Sequence, residues 1–422
     1  MSGSGVAAAL LLLVASGVAS ATSPVELRVW GMGREGEVLR DLVAVFEEAH
    51  PGVRVRVQQI PWSAAHEKLL TAFVGGALPD VFQVGNTWIP ELVALDAVLP
   101  VDDQIATIRD DFFPGILDTN VLDGRTWGVP WYADTRILFY RHDLTAAAGV
   151  DGPPATWAEW LAALERMQRS AGPGHSPILL PLREWQTPVI LALQRGATLL
   201  RDEATRGDFA SPPARTAFDF YLDLFRRGLA RRDAATQVTN VYQDFAAGRF
   251  TFYVTGPWNL GELARRLPPA LEDAWRTAPM PSPAPGVPGV SLAGGASLVV
   301  SRSTTEPALA GALVAHLTDI PMLCRLYDLA GDLPARSSAW NGCPIARDGR
   351  DEERTAAFWT QLQAVRATPK IPEWERIATR LTHHLELAVR GDVTLDVALA
   401  ALDRDVDAIL EKRRWLRARE AE

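Results

Sequence analysis

The chain has few cysteines, few lysines and, after its first residues, no apolar run long enough for a membrane helix. Its two cysteines, Cys324 and Cys343, do not make a metal site by themselves. Lysine occurs only at positions 68, 370 and 412, so nearly all positive charge is arginine. The formal net charge is −9. This acidic balance argues against nucleic acid or an anionic membrane surface as a partner.

The length and composition are those of an ordinary water-exposed protein with more than one lobe. The 422 residues are 48% hydrophobic and 22% charged. A chain of this length exceeds the size of one hydrophobic core, so two or three lobes are expected. Tryptophan occurs 14 times, which is a high count. Surplus tryptophan often marks binding surfaces, although most of these rings are expected in the core.

Residues 1–21 have the pattern of a secretory signal peptide. Val6 to Val18 is an uncharged apolar run that is too short to span a bilayer. Ala19-Ser20-Ala21 has the small-x-small spacing of a signal-peptidase site. No cysteine follows the run, so we expect no lipid anchor there. The chain is therefore expected to be exported, soluble and periplasmic where the cell has an outer membrane.

Export makes a disulfide between Cys324 and Cys343 chemically possible. Two unpaired buried thiols are the alternative, and the residues alone do not choose between them. We take the disulfide as the hypothesis to be tested.

The first part of the mature chain alternates strands and helices. Strands are predicted at Glu26–Trp30, around Val53 to Val57, and at Asp80–Val84. Segments of helical periodicity separate them, beginning after the glycine-rich turn at Gly31 and again at Ser63. Repeated winding of this kind predicts a mostly parallel sheet with helices on both faces.

The stretch from Gly128 to Asp143, GVPWYADTRILFYRHD, combines aromatic rings with paired charges at the entrance to a strand. Trp131 and Tyr132 follow a proline, and Asp134 and Arg136 lie two residues apart. Rings stack on the C–H face of a sugar, and charged groups form strong hydrogen bonds to its hydroxyls. A core strand whose rings pack inward is the equally weighted alternative.

The segment Gly31–Gly36 fits the G-x-G-x-x-G pattern of dinucleotide-binding turns. The second strand ends in Gln58 and Gln59, however, and supplies no acid for a ribose. A tight turn that lines a cleft is therefore favoured. No G-x-S-x-G or Cys/His pair indicates a nucleophile, and His383-His384 has no partner at metal-ligand spacing. We expect no enzyme, no cofactor and no metal, with an exported nicotinamide-dependent sugar oxidoreductase and a secreted glycosidase as alternatives.

Five stretches carry a resemblance to a known family. They are residues 128–160, which include ATWAEW, and residues 245–260, 292–317, 333–340 and 371–400. In order and spacing they resemble the solute-binding proteins of ABC sugar importers, the maltose-binding-protein-like superfamily. This resemblance implies two α/β lobes of mostly parallel sheets flanked by helices, with the ligand cleft between them.

Under the resemblance, residues 24–130 and 292–333 form the N-terminal lobe, and residues 131–291 and 334–422 form the C-terminal lobe. The chain would cross near Pro130, within 279–295 and near Pro334, so that the lobes close on a hinge. The implied function is capture of a sugar or oligosaccharide and its delivery to an ABC permease, by a monomer. A glycerol phosphodiester or polyol is the alternative ligand.

The ligand contacts that the resemblance implies come from loops that follow strands. Trp131 and Trp258 would be stacking platforms, and the paired glycines would let backbone approach the ligand. The set is Arg34, Glu35, Asn86, Trp88, Trp131, Asp134, Trp258, Gly294, Gly295 and Arg336. The stretch QIPWSAAHE departs from the family pattern and adds Trp62 and His66, which we also expect to reach the cleft.

Overall fold

A computed structural model describes residues 24–170, 172, 174–232, 240–345 and 349–420. The predicted signal peptide lies outside the described residues. In chain order the strands are β1 (Val25–Met32), β2 (Val53–Ile60), β3 (Val81–Gly85), β4 (Val98–Leu99), β5 (Val121–Leu122), β6 (Arg125–Thr126), β7 (Val129–Asp134), β8 (Ile137–Arg141), β9 (Ser176–Leu179), β10 (Leu200–Arg201), β11 (Arg206–Gly207), β12 (Phe250–Thr255), β13 (Trp275–Ala278), β14 (Ser291–Leu292), β15 (Gly294–Ser301) and β16 (Val365–Arg366).

The helices follow the same chain order. They are α1 (Gly33–Ala49), α2 (Trp62–Val74), α3 (Ile89–Ala94), α4 (Asp102–Ile105), α5 (Pro114–Asp118), α6 (His142–Ala147), α7 (Trp157–Ser170), α8 (Gln186–Gln194), α9 (Pro212–Arg226), α10 (Val241–Ala246), α11 (Trp258–Arg266), α12 (Pro307–Leu317), α13 (Ile320–Ala330), α14 (Ala339–Gly342), α15 (Gly349–Leu362), α16 (Trp374–Arg390), α17 (Leu395–Ile409) and α18 (Glu411–Glu420). Short 3-10 turns cover Asn86–Trp88, Arg109–Asp111 and Pro269–Leu271.

The N-terminal lobe is built on a sheet of order β2-β1-β3-β15-β4, with β7 paired to β15. Strand β1 is parallel to β2 and β3, which confirms the predicted winding. Strand β15 returns from later in the chain and pairs antiparallel with β3, β4 and β7, so the sheet is mixed. Helix α1 buries Leu39, Leu42 and Phe46 against this sheet, as its helical spacing predicts.

The C-terminal lobe has a second sheet of order β13-β8-β12-β9. Only β9 and β12 pair in parallel within it, because β8 runs antiparallel to both of its neighbours. Helices α7, α8, α9, α16 and α17 contribute to the core beside this sheet, which includes Trp160, Phe218 and Trp374. The other face of this sheet, with Phe139, Phe250 and Trp275, belongs to the same hydrophobic cluster as the core of the N-terminal sheet.

The first crossing between the lobes lies at Thr135 and Arg136. Strand β7 ends at Asp134 in the N-terminal sheet, and β8 begins at Ile137 in the C-terminal sheet. The predicted crossing near Pro130 is therefore too early, because Pro130 lies inside β7 and pairs with β15. A second connection is the short parallel pair of β14 and β16, which joins segments far apart in the chain.

The predicted crossing near Pro334 is wrong. Leu333 accepts a hydrogen bond at 2.8 Å from the N–H of Ala133 on β7. Arg336 binds Asp111 in the N-terminal lobe. The chain joins the C-terminal lobe later, where α15 packs against β13.

The disulfide hypothesis is confirmed, since Cys324 and Cys343 are bonded. The bond ties α13 to the segment after α14, within the N-terminal lobe. In the part of the chain that the structure describes, no single helix is long and apolar enough to cross a membrane, and only the bent pair α12 and α13 meets that test together, by length and composition.

Candidate functional site

A cleft of about 760 Å³ lies between the two lobes. The N-terminal lobe lines it with Arg34, Glu35, Trp62, Trp88, Tyr132 and Asp332. The C-terminal lobe lines it with Trp185, Gln186, Tyr242, Trp258, Arg266 and Glu375. Its size and its mixture of rings with a few polar groups are typical of small-molecule sites.

The turn between β1 and α1 places Glu35 in this cleft. Gly31 and Gly36 let strand and helix approach, since a Cβ at Gly31 would lie 2.7 Å from the Gly36 Cα. Gly33 has a φ of +49°, and a Cβ there would meet the Trp62 ring at 2.6 Å. The glycines of the G-x-G-x-x-G pattern thus serve close packing. A phosphate at this turn would meet the Glu35 carboxylate, which disfavours the dinucleotide alternative.

Trp62 and Trp88 form an aromatic wall on the N-terminal lobe. Their ring centroids are 5.7 Å apart and the planes are inclined by 62°. His66 does not line the cleft. It lies against Trp88 at 5.0 Å and its Nε2 is 2.7 Å from Glu91, so it supports the wall from behind. The structure therefore places His66 behind the wall and not among the residues that line the cleft.

Asn86 and its neighbour Thr87 follow β3 and reach the cleft edge. Asn86 is buried and donates to Thr119 Oγ1 at 3.0 Å, which fixes its amide. Thr87 donates to Glu375 at 2.6 Å. Because Glu375 lies in the first turn of α16 in the C-terminal lobe, this hydrogen bond joins the two lobes across the cleft.

The neighbouring rings of Trp131 and Tyr132 on β7 lie in different environments. Trp131 has no exposed surface and donates from its indole nitrogen to Leu317 O at 3.2 Å, in the core behind the sheet. Tyr132, the next residue, lines the cleft. Side chains alternate along a strand, so only one of two neighbours can face the ligand. The predicted stacking role of Trp131 is wrong.

Asp134, Arg136 and Trp258 form one assembly at the first crossing. The Arg136 Nη1 lies 2.9 and 2.8 Å from the two Asp134 oxygens. The guanidinium carbon of Arg136 lies 4.4 Å from the Trp258 ring centroid, in cation–π contact. Trp258 is 40% exposed and lines the cleft. The assembly fixes the orientation of a ring that keeps one face open.

Glu35, Tyr132 and Asp332 make up what we call the acidic floor of the cleft. Burial raises the pKa of Glu35, although hydrogen bonds from its own N–H, Tyr132 and Trp62 oppose this shift. Burial raises the pKa of Asp332 well above its ordinary value, and the charges of Glu35 and Asp134 add to the effect. Burial, and then the Glu35 charge, also raise the Tyr132 pKa. Burial therefore opposes the ionisation of both carboxyl groups of the floor.

Among the residues that the structure describes, three buried polar atoms of the cleft lack a hydrogen-bond partner. They are Thr135 Oγ1, Gln186 Oε1 and Asp332 Oδ2. Buried polar groups are normally paired, so unpaired atoms that surround one cavity indicate positions that a ligand completes. Thr135 belongs to the crossing, Gln186 to the C-terminal lobe and Asp332 to the N-terminal lobe, so the unpaired atoms surround the cavity from both sides.

Helix α11 forms the wall of the cleft on the C-terminal lobe. The sequence analysis identified only one residue of this helix, Trp258, as a candidate ligand contact. Glu262 pairs with Arg265 and Arg266, and the Arg266 guanidinium carbon lies 4.9 Å from the Tyr242 ring centroid. The helical spacing of these residues after the G-P-W turn was the signal that could have identified them.

The paired glycines line the cleft, but backbone pairing is what requires them. A Cβ on Gly295, whose φ is +121°, would lie 2.2 Å from Tyr132 O on β7. A Cβ on Gly294 would lie 3.0 Å from Asp134 O. Arg336 does not reach the cleft, because it is buried against Asp111 at 2.7 Å and ties its own loop to the N-terminal lobe. Its predicted ligand contact is wrong.

Among the described residues no group of three or more His, Cys, Asp or Glu side chains could hold a metal ion. What the geometry offers is a cavity between two lobes, with open aromatic faces and unpaired acceptors. Fold and site together define a two-lobed binding protein.

The sequence profile of bacterial extracellular solute-binding proteins matches residues 31–319, and the chain belongs to this family. The sugar-binding protein MalE from Xanthomonas citri is 43% identical, with a TM-score of 0.87 over 93% of this chain and 99% of that one. The diacetylchitobiose binding protein DasA of Streptomyces coelicolor is 26% identical over 85% of this chain and 83% of its own. The galactooligosaccharide-binding protein of Bacillus subtilis is 24% identical over 89% and 87%. The resemblance stated from sequence is confirmed.

Proposed function

We propose that this chain is the exported substrate-binding component of an ABC importer and that it captures an uncharged sugar or oligosaccharide in the cleft. The observation that carries the proposal is the set of unpaired buried polar atoms around a cavity walled by tryptophan rings. Relatives named for binding a sugar, diacetylchitobiose and galactooligosaccharides support this ligand class.

Each wall of the cleft has a distinct task in sugar binding. The open faces of Trp62, Trp88 and Trp258 stack on the C–H faces of sugar rings. The carboxylates of Glu35 and Asp134 accept hydrogen bonds from sugar hydroxyls, which are stronger when the acceptor is charged. The names of the relatives above include sugars and no glycerol phosphodiester, which favours a sugar as the ligand of this cleft.

Sugar bound between the lobes stabilises their closed arrangement. A ligand that touches both lobes binds the closed form better than the open one, and its differential affinity shifts the population. The crossing at Thr135–Arg136 and the β14–β16 pair restrict the movement to a hinge. The closed, loaded monomer would then deliver its sugar to the permease subunits from the periplasm, without catalysis.

A thermal-shift screen tests the ligand class. The panel contains neutral mono- and oligosaccharides, including maltose, trehalose and diacetylchitobiose, together with a polyol and a glycerol phosphodiester. We expect stabilisation by at least one neutral sugar and none by the phosphodiester. Stabilisation by the phosphodiester alone would refute the proposal.

Small-angle scattering with and without the binding sugar then tests closure. We expect a smaller radius of gyration in the bound form. An unchanged scattering curve with a tightly bound sugar would show that the site does not draw the lobes together.

A further inference from the structure

The hydrogen bond from Thr87 to Glu375 connects the two walls of the cleft directly. Thr87 Oγ1 donates to Glu375 Oε1 at 2.6 Å, and both side chains are half-buried. Both residues line the cleft, although neither the sequence pattern nor the family resemblance identified them. The protein therefore supplies a contact of its own between the lobes at the ligand site.

Each partner of this hydrogen bond is supported by the core of its own lobe. Thr87 lies in the 3-10 turn Asn86–Trp88, which directly follows β3 of the N-terminal sheet. Glu375 follows Trp374, whose ring is buried in the core of the C-terminal lobe. The distance between the two side chains therefore depends on how far the lobes have closed.

The segment before α16 limits how far Glu375 can move from the N-terminal lobe. Lys370 Nζ donates to Asp118 O at 3.0 Å, to Asp118 Oδ1 at 2.8 Å and to Val121 O at 3.0 Å. Both acceptor residues belong to the N-terminal lobe. The short chain from Lys370 to Glu375 spans at most roughly 18 Å when fully extended. Glu375 therefore stays within reach of an anchor on the opposite lobe while the cleft opens and closes.

We propose that Glu375 is a positioning residue that holds the loaded cleft closed through its hydrogen bond to Thr87, and that this hydrogen bond slows the release of the sugar. The inference rests on the proposed function and names a protein contact that regulates the same site. A hydrogen bond that forms as the lobes approach stabilises the closed form alone. An interaction that favours one of two states shifts the population towards that state.

The two rate constants of sugar binding should respond differently to loss of this hydrogen bond. Sugar enters while the lobes are apart, before Thr87 and Glu375 meet, so the association rate constant should change little. Release requires the lobes to separate, so the dissociation rate constant should rise. A hydrogen bond between partly exposed groups changes an equilibrium constant by about 3- to 10-fold, and we expect this factor in the dissociation rate constant.

A double-mutant cycle tests the inference by stopped-flow tryptophan fluorescence, with maltose or whichever neutral sugar of the panel binds. Thr87→Val and Glu375→Ala should each raise the dissociation rate constant by about 3- to 10-fold. The double variant should show about the same factor as either single variant, because each change removes the same bond. Thr87→Ser keeps the donor hydroxyl and should rescue slow release. The exposed Thr216, whose hydroxyl donates to Pro212 O within α9, provides the matched control Thr216→Val, which should release sugar as the wild type does.

The cycle separates this role from two simpler ones. If Thr87 and Glu375 contacted the sugar independently, the two factors would multiply in the double variant, and the inference would be overturned. Glu375 also lies in the first turn of α16, where an acidic side chain stabilises a helix. If that were its whole role, Glu375→Ala would lower the urea midpoint while Thr87→Val left sugar release unchanged, which also overturns the inference. Either result leaves the proposed function intact, whereas absence of any sugar binding refutes both.

Discussion

Trp131 and Trp258 should respond in opposite ways to substitution, although the sequence pattern gave them the same role. Trp258 presents an open face to the cleft, whereas Trp131 is enclosed in the core. We therefore expect Trp258→Ala to weaken sugar binding with little loss of stability. Trp131→Phe should lower the stability and leave the sugar affinity of the folded protein unchanged.

The magnitude for Trp258 follows from the area that a sugar can cover. A tryptophan side chain has roughly 150–250 Å² of surface to bury. With 40% of Trp258 exposed, ligand stacking removes roughly 60–100 Å² from water. At about 25 cal/mol per Å² this is roughly 1.5–2.5 kcal/mol, or about a 10- to 70-fold loss of affinity in the alanine variant.

The magnitude for Trp131 comes from its hydrogen bond and its packing. Replacement by phenylalanine leaves Leu317 O without the indole donor that now lies 3.2 Å away. An unpaired buried acceptor costs about 1–3 kcal/mol, and the smaller ring adds a cavity, so we expect a total of about 2–5 kcal/mol.

Calorimetric titration with the sugar found in the screen measures the affinities, and urea unfolding followed by far-ultraviolet circular dichroism measures the stabilities. Exposed Trp415, on the surface of α18, is the matched control, and Trp415→Ala should change neither quantity much. Unchanged affinity in Trp258→Ala together with weakened binding in folded Trp131→Phe would refute the assignment of the two rings.

Three further substitutions test the supports of the site. Gly295→Ala should destabilise the protein by more than about 2 kcal/mol because of its φ of +121° and the clash with β7, whereas Gly286→Ala, with φ of +77° and no atom within 4 Å, should cost about 1 kcal/mol in the same urea assay. Cys324→Ser should lower stability by about 3 kcal/mol in oxidising buffer and by little in reducing buffer, and denatured wild type should show no reactive thiol. The hydrogen bond to Glu91 raises the His66 pKa, so the protonated imidazole stabilises the folded protein below about pH 6.5, and this contribution is lost as pH rises through the raised value. The urea midpoint of the wild type, relative to that of His66→Gln, should therefore fall between about pH 6 and pH 8.

The sequence indicated the parts of the fold that depend on local patterns. The strand and helix winding of β1, α1, β2 and β3 follows from hydrophobic periodicity, and the structure confirms it. The return of β15 into that sheet could not be derived from the same signal, because pairing between distant segments leaves no local mark. The crossing was placed near Pro130 since proline suggested a break, but an outer position in a sheet tolerates proline.

The cleft residues were predictable where a single candidate side chain lies in the turn after a strand, as with Glu35 and Trp258. They were not predictable where two adjacent residues of a strand are both candidates and only one of them can face the cleft. Nothing in the pair Trp131-Tyr132 tells which ring faces inward, because that depends on the register of β7 against β15. Asp332 was missed for a different reason, since an aspartate after a glycine usually marks an exposed turn.

The position of Asp134 and Arg136 on either side of the first crossing has a consequence for how new specificities evolve. Both residues line the cleft and flank the crossing, so we expect a substitution at either one to change ligand binding and lobe closure together. Beyond Trp258, which contacts Arg136, helix α11 lines the cleft from one lobe only. Lineages of this protein can therefore exchange residues along α11 to accept different sugars while the crossing, and with it the closed shape presented to the permease, stays the same.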